Sequence, residues 1–420
     1  GSMLWIWVVD GRRIVALERA TGRFVKETAI LGEQEKILRG EGAFFVVSNI
    51  ASGRQQITTV RLKDGNVSTL DLAASRREAA TIWQEDQVPT PNIQAACTDF
   101  LPSGEGLLRA DIRLVEKKVV ERAAMRANDD KALDELEKST NGASSSDAVK
   151  LAQVLANDAQ RDLTGGKERI DESTYEVTLR RVAGAPVAEW KGRVQGRPEL
   201  FASASLTLLS AGNQLLAFDL SNKKLWDTKL VQPVRSREHS EPAPYLEHAD
   251  RLYFADQAFL TAFERATGRV LWRLPSVGIT ALQIDEAGKL YVSSANATAD
   301  SLLYSQESRL SDVTPPVTIK LDPRNGKILW KAEKYEECYV SGGSIYASRS
   351  VRNMQDVTNA VFDPKKAVDT RYTLYKLDAG NGKAQWGWFQ NRRPLHVLSR
   401  GRTVILLFEK ELQVIKSIAL

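Results

Sequence analysis

Thr261-Ala262-Phe263-Glu264-Arg265-Ala266-Thr267-Gly268-Arg269-Val270-Leu271-Trp272-Arg273 sets two short apolar runs on either side of a polar turn. Gly268 closes that turn, and a residue without a Cβ tolerates the positive φ that a tight hairpin needs. The stretch reads as strand, turn, strand. Copies recur at Leu215 to Trp226, Ile319 to Trp330 and Tyr375 to Trp386. In each, a Trp follows the turn residue by four positions: Asn222 and Trp226, Gly268 and Trp272, Gly326 and Trp330, Gly382 and Trp386. Pro186 and Trp190 keep the same step.

Upstream, the pattern is weaker but present. Leu4 begins a strand, Asp10-Gly11 turns, Ile14 to Leu17 is a second strand, and Arg19-Ala20-Thr21-Gly22 leads into a third through Phe24. Lys26 stands where the other copies carry Trp. The next copy runs from Phe44 through Ile57 to Leu62, turns at Asp64-Gly65 and leaves through Val67 to Leu70, with Thr69 at the Trp position. Gly22 and Gly65 are 43 residues apart, the length of four short antiparallel strands and their loops, which is one propeller blade. Successive Trp spacings from Trp190 are 36, 46, 58 and 56 residues, so loops vary while the step persists. The polar stretches Ser293 to Pro316 and Val351 to Thr370 widen two of the later units and enlarge one rim. The expectation is a single all-β domain over 4–420, a β-propeller of eight four-stranded blades, or seven if the two partial end units form one blade.

Regularity fails between Trp83 and Trp190. Ala123 to Glu137 and Ser146 to Leu163 lack β-branched and aromatic density, while Leu151, Val154 and Leu155 recur at helical spacing. Ser146 or Asp147 suits an N-cap and Gly165-Gly166 a stop. A helical hairpin over 123–166, inserted in the third blade, is the predicted structure. Its apolar stripe, led by Leu133, Leu136, Leu151, Val154 and Leu155, packs the helices together or offers a docking surface to a partner.

Bulk properties narrow the function classes. An apolar fraction of 43% and a charged fraction of 26% describe a globular chain, and no stretch approaches the ~18 uninterrupted apolar residues of a membrane span. A net charge of +5 is small beside 58 basic and 53 acidic residues mixed along the chain, so attraction to nucleic acid is weak. Cys97 and Cys338 read as two separate buried thiols, with a disulfide as the alternative in an oxidising compartment. Gly1-Ser2-Met3 reads as an expression scar, with a signal peptide or membrane anchor upstream as the expected reason for the cut.

Ala262 to Trp272, Leu321-Asp322-Pro323-Arg324-Asn325-Gly326-Lys327-Ile328-Leu329-Trp330 and Leu377-Asp378-Ala379-Gly380-Asn381-Gly382-Lys383-Ala384-Gln385-Trp386 resemble the repeats of the quinoprotein-like (PQQ-like) β-propeller superfamily. That superfamily holds both pyrroloquinoline quinone dehydrogenases and non-enzymatic propellers of the BamB type. The resemblance implies that the recurring Trp docks between adjacent blades, which carries over to Trp190, Trp226, Trp272, Trp330 and Trp386, with Gly268, Gly326 and Gly382 in the hairpin turns. It also supplies the enzymatic alternative, in which vicinal cysteines stack on the quinone and Glu, Asn and Asp hold calcium. The chain has no adjacent cysteines, so no cofactor, metal or catalytic residue is assigned.

Other motifs have bland readings. Glu238-His239-Ser240-Glu241 with Glu247-His248 matches no zinc-ligand spacing and carries Pro242 and Pro244 inside it, so a solvated loop is expected. Asp322 to Gly326 and Asp378 to Gly382 lack the alternating carboxylates of a calcium loop; an aspartate capping a turn explains them. Arg392 and Arg393 form a small basic patch suited to an acidic partner. The expected function is a non-catalytic protein-binding scaffold of the bacterial envelope, periplasmic or otherwise extracytoplasmic, that binds envelope proteins through rim loops and the insertion. A quinone or metal oxidoreductase and a sensor using a central funnel are the alternatives.

Overall fold

The computed structural model describes residues 3–8, 13–18, 23–30, 33–50, 54–73, 78–80, 93–123, 167–203, 205–231, 234, 245–256, 259–275, 279–294, 317–333, 335, 337–352, 370–390, 394, 396–400, 403–408 and 412–416. Every regular element among these residues is a strand. The chain divides into two compact units, Gly1–Arg122 with Arg169–Leu230, and Ala123–Glu168 with Val231–Leu420.

In the first unit, β1 (Met3–Val8), β2 (Arg13–Glu18) and β3 (Phe24–Ala29) form a three-stranded antiparallel sheet. β4 (Glu33–Arg39), β5 (Ala43–Ile50), β6 (Arg54–Arg61) and β7 (Val67–Ala73) form a sheet in sequence order. β8 (Glu78–Ala80), β9 (Ile93–Ser103) and β10 (Gly106–Glu116) come next. β11 (Val119–Ala123) and β12 (Lys167–Asp171) pair only with each other, before β13 (Thr174–Ala183) and β14 (Trp190–Gln195) complete a five-stranded sheet of order β14-β13-β10-β9-β8. β15 (Pro198–Ala202), β16 (Thr207–Ala211), β17 (Gln214–Phe218) and β18 (Lys224–Lys229) again follow sequence order.

The second unit repeats the theme. Its sheets are β19 (Tyr245–His248), β20 (Arg251–Ala255), β21 (Phe259–Glu264) and β22 (Val270–Pro275); β23 (Ile279–Ile284), β24 (Leu290–Ser294), β25 (Val317–Leu321) and β26 (Ile328–Glu333); and β27 (Glu337–Ser341), β28 (Ser344–Arg352), β29 (Thr370–Leu377) and β30 (Ala384–Gln390). β31 (His396–Arg400), β32 (Thr403–Leu407) and β33 (Leu412–Lys416) make a last sheet of three.

Burial explains why the middle strands look so apolar. Every side chain of β16 and of β24 is buried, and β24 is covered on both faces, by the β19–β22 sheet before it and the β27–β30 sheet after it. Such strands read as continuous apolar runs, whereas the outer β18 alternates and exposes four of its six residues. The cores lie between consecutive sheets. Leu260, Ala262 and Trp272 of one sheet meet Leu290, Val292 and Ile319 of the next. Tyr291 and Trp330 meet Ile345 and Ala347 in turn, and Tyr346 and Leu374 meet Val404 and Leu406. In the first unit, Tyr175 and Val177 pack on Leu209 and Phe218, and Phe45 and Ile57 on Phe100 and Leu107. Within each unit the first strands of successive sheets are neighbours: β4 beside β9, β9 beside β15, β19 beside β23, β23 beside β27 and β27 beside β31. Wedge-like sheets packed face to face through their first strands define a β-propeller.

Several local expectations change. Between β15 and β16, Ser203 captures the Leu206 amide with its hydroxyl (3.1 Å) and turns the chain. Ser293 and Ser294 end β24, Val351 and Arg352 end β28, and Thr370 opens β29, so both rim loops are shorter than their polar sequence suggests. The irregular stretch before Trp190 holds a complete sheet, interrupted between its β10 and β13. Residues 124–166, with Leu133, Leu136, Leu151, Val154 and Leu155, lie outside the described residues, as do Arg392 and Arg393.

Candidate functional site

Each sheet of the repeat ends in the same turn, and its atoms are used twice. Asp322 accepts the Arg324 amide on Oδ1 (3.0 Å) and the Gly326 amide on its carbonyl (2.9 Å), while its own amide donates to the Lys327 carbonyl (2.8 Å). Asp378 repeats this with Gly380, Gly382 and Lys383. Asp219 accepts from Ser221 and Lys223. These carboxylates cap turns, as an aspartate at that position does. Gly326 and Gly382 both sit at φ 73°, Gly268 at 70°, and Asn222 at 63°. Asn is one of the few other residues that accept this left-handed region.

A one-residue bulge follows the turn in the hairpins β2–β3, β17–β18, β21–β22, β25–β26 and β29–β30. It sets Trp226 opposite Ala217, Trp272 opposite Ala262, Trp330 opposite Lys320 and Trp386 opposite Lys376. Two of these indoles then reach the turn of the following sheet. Trp272 Nε1 donates to the Pro323 carbonyl (2.9 Å) and Trp330 Nε1 to the Ala379 carbonyl (3.0 Å). Their rings lie flat on the turn glycines. A Cβ on Gly326 would stand 2.7 Å from Trp272 Cε3, and one on Gly382 would stand 2.6 Å from Trp330 Cε3. A tyrosine of the same sheet backs each ring: Tyr253 at 5.9 Å from Trp272, Tyr291 at 6.0 Å from Trp330 and Tyr346 at 6.2 Å from Trp386. Trp190 meets the edge of Phe218 at 4.7 Å, and Asn222 donates through Nδ2 to the Ala188 carbonyl (2.9 Å). Trp226 is buried at the end of the first unit.

The residue after the turn aspartate also takes a cation, which sequence reading missed. Arg251 joins Trp272 at the Pro323 carbonyl, Lys320 joins Trp330 at the Ala379 carbonyl (2.7 Å), and Arg181 reaches the Leu220 carbonyl (2.7 Å). Burial pulls the Arg181 guanidinium and the Lys320 ammonium below their ordinary values. Lys26, in the Trp position, donates to the Gly65 carbonyl (2.6 Å), keeping the polar half of the contact without the ring. The only sequence signal for any of these was Lys-Leu-Asp, at Lys320 and again at Lys376.

First strands are clasped by side-chain amides and hydroxyls. Gln283 on β23 donates to the Cys338 carbonyl and accepts the Val340 amide, both at 2.6 Å. Ser293 accepts the Cys338 amide (2.8 Å), and Ser341 accepts the Ser399 amide (2.9 Å). In the second unit the turn contacts all fall at one end of the strands. Residues 295–316, between β24 and β25, and 353–369, between β28 and β29, leave from the opposite end.

The remaining candidates are dispersed. Glu247 pairs with Arg265 (2.9 Å), His248 is exposed at the end of β19, and His396 is exposed on β31. Among the described residues no group of three or more His, Cys, Asp or Glu could hold a metal ion. Neither cysteine is in a disulfide; Cys338 is buried, and burial pushes its thiol up to about 12, while Cys97 is partly buried. No helix among the described residues is long and apolar enough to cross a membrane.

Stacked four-stranded sheets keyed by an indole on a turn glycine define a PQQ-repeat propeller. The chain belongs to the PQQ-repeat family described as outer membrane protein assembly factor BamB, which matches residues 178–337 and 260–417, together more than half of its length. No curated protein matches it. Among solved structures, the chain is similar to Saccharomyces cerevisiae Sqt1 (8% identity, 99% of this chain and 93% of that one, TM-score 0.44). It is also similar to KlHsv2 with loop 6CD replaced by a Gly-Ser linker (9% identity, 93% of each chain, TM-score 0.38).

Proposed function

We propose that this protein is a non-catalytic scaffold of the bacterial cell envelope that binds other envelope proteins through one rim. The observation that carries the reading is the division of labour between the strand ends in the second unit. At one end, turn carbonyls and glycines are occupied by Trp272, Trp330, Arg251 and Lys320, so that end is committed to holding sheets together. The two longest excursions of that unit's sheets leave from the other end, where they can vary without disturbing the seams. Membership of a family described by outer-membrane assembly supports the envelope role. Trp190, Trp226, Trp272, Trp330 and Trp386 are read as blade keys. The sheets, β11–β12 apart, are read as eight blades with the first and last one strand short.

Residues 124–166 are read as a helical hairpin that adds a second contact surface; Ala123, where the sequence pattern began it, ends the strand β11 instead. Affinity capture from native envelopes tests this. The full protein, a variant lacking 124–166 and a variant with 353–369 cut to a short Gly-Ser link are compared at equal thermal midpoints. Loss of distinct partners from each variant is expected; identical capture by all three overturns the reading.

A further inference from the structure

Two of the keyed turns carry a reactive pair of residues as well as a seat for an indole. Asparagine followed by glycine is prone to internal imide formation, because no side chain on the second residue hinders attack by its amide nitrogen. The pair occurs at Asn141-Gly142, Asn325-Gly326 and Asn381-Gly382. The first lies outside the described residues, and the other two are the turns beneath Trp272 and Trp330. In both turns the asparagine is exposed to water while its glycine is buried. The reacting groups are also occupied. The Gly326 amide donates to the Asp322 carbonyl (2.9 Å), and Asn325 Oδ1 accepts the Lys327 amide (3.0 Å). Likewise the Gly382 amide donates to the Asp378 carbonyl (2.9 Å), and Asn381 Oδ1 accepts the Lys383 amide (2.9 Å). An indole lies against each glycine, where a Cβ would stand 2.7 Å from Trp272 and 2.6 Å from Trp330, so a turn that swings its glycine out has to displace the ring. The other keyed turns lack the pair: Thr267 precedes Gly268, and Asn222 is followed by Lys223.

We infer that Asn325 and Asn381 are modification sites, deamidated when their seam opens, each under the control of the indole of the preceding sheet. The glycine amide nitrogen loses its proton to solvent and bonds to the asparagine Cγ. The bond from Cγ to the side-chain nitrogen breaks, and that nitrogen takes up a proton and leaves as ammonia. Water then adds to one of the two imide carbonyls and reopens the ring, so one water is consumed for each ammonia released and the product is aspartate or isoaspartate. Isoaspartate puts one extra carbon into the main chain directly before the glycine, which shifts the glycine from beneath its ring. Either product adds a negative charge to a turn that already holds Asp322 or Asp378. The two pairs therefore record the opening of two different seams. These sites belong to the seams and do not depend on what the rim binds.

The test follows deamidation of the full chain in mildly alkaline buffer by peptide mass spectrometry, with the chain in urea as the unfolded reference. Reaction through local opening tracks the population of the open form, so both asparagines should react roughly tenfold or more slowly in the folded chain than in urea. Trp272→Ala should speed Asn325 roughly tenfold or more and leave Asn381 within about twofold, and Trp330→Ala should do the reverse. Equal acceleration of both asparagines by either variant, or none at the matching one, would overturn the inference, as would equal rates for the wild type folded and in urea. Should an alanine variant unfold, Trp272→Phe and Trp330→Phe, which lack the N–H donor, decide by the same matching of variant to site.

Discussion

Gly326 serves two purposes, and substitution separates them. Its φ of 73° strains any residue with a Cβ, and the new atom would also press on the face of Trp272. Gly343 shares the conformation, at φ 71°, with nothing within 4 Å of the built Cβ. Gly343→Ala should therefore cost about 1 kcal/mol from left-handed strain alone. Gly326→Ala should cost about 1–3 kcal/mol more from overpacking, measured by urea denaturation. Equal losses would mean that the indole does not bear on the glycine. Cys338, with its thiol pushed up to about 12 by burial, should resist iodoacetamide at pH 8 until the chain unfolds. Asp219 sets a pH signature. Partial burial works to raise its carboxyl, but hydrogen bonds from the Ser221 hydroxyl and from the Lys223 and Ser221 amides outweigh this and hold it low. A lowered folded value gives stability that is present above the ordinary 3.8 and lost as pH falls through the folded value. Between pH 5 and pH 2, Asp219→Asn should lose less stability than the wild type.

At the scale of the element, the seams are unequal. Trp330 brings a buried ring, a tyrosine behind it and a hydrogen bond to Ala379, so Trp330→Ala should cost about 3–5 kcal/mol. Lys26 brings an exposed ammonium to the Gly65 carbonyl, and among the described residues the buried cluster at that seam is small: Ile14, Ile30, Val46 and Val60. Lys26→Ala should cost less than about 1 kcal/mol, as for other exposed polar contacts. A loss matching that of Trp330→Ala would contradict this ordering. Hairpins with a glycine or asparagine turn and a Trp were readable because their signal is local. β9, Ile-Gln-Ala-Ala-Cys-Thr-Asp-Phe-Leu-Pro-Ser, was not, since neither alternation nor an apolar run marks it and its partners β10 and β8 define it. Lys26 was read as a departure from the pattern; its donation to a carbonyl 39 residues away needed the fold.

For the molecule as a whole, fold and activity separate. A PQQ-repeat propeller can hold a quinone, yet this chain has no adjacent cysteines to stack on one. Adding pyrroloquinoline quinone with calcium to the purified protein should leave its thermal midpoint and tryptophan fluorescence unchanged; a saturable shift in either would restore the oxidoreductase reading. The sequence by itself determined the repeating strand–turn–strand unit, its glycines, its indoles and hence the class of fold, because turn conformation and strand burial are written within about a dozen neighbouring residues. Only the tertiary structure decided what each indole touches and which carbonyl takes a second donor. Those are meetings between residues tens of positions apart, as with Trp272 and Pro323, and a linear pattern carries no record of which surfaces the packing brings together or leaves open.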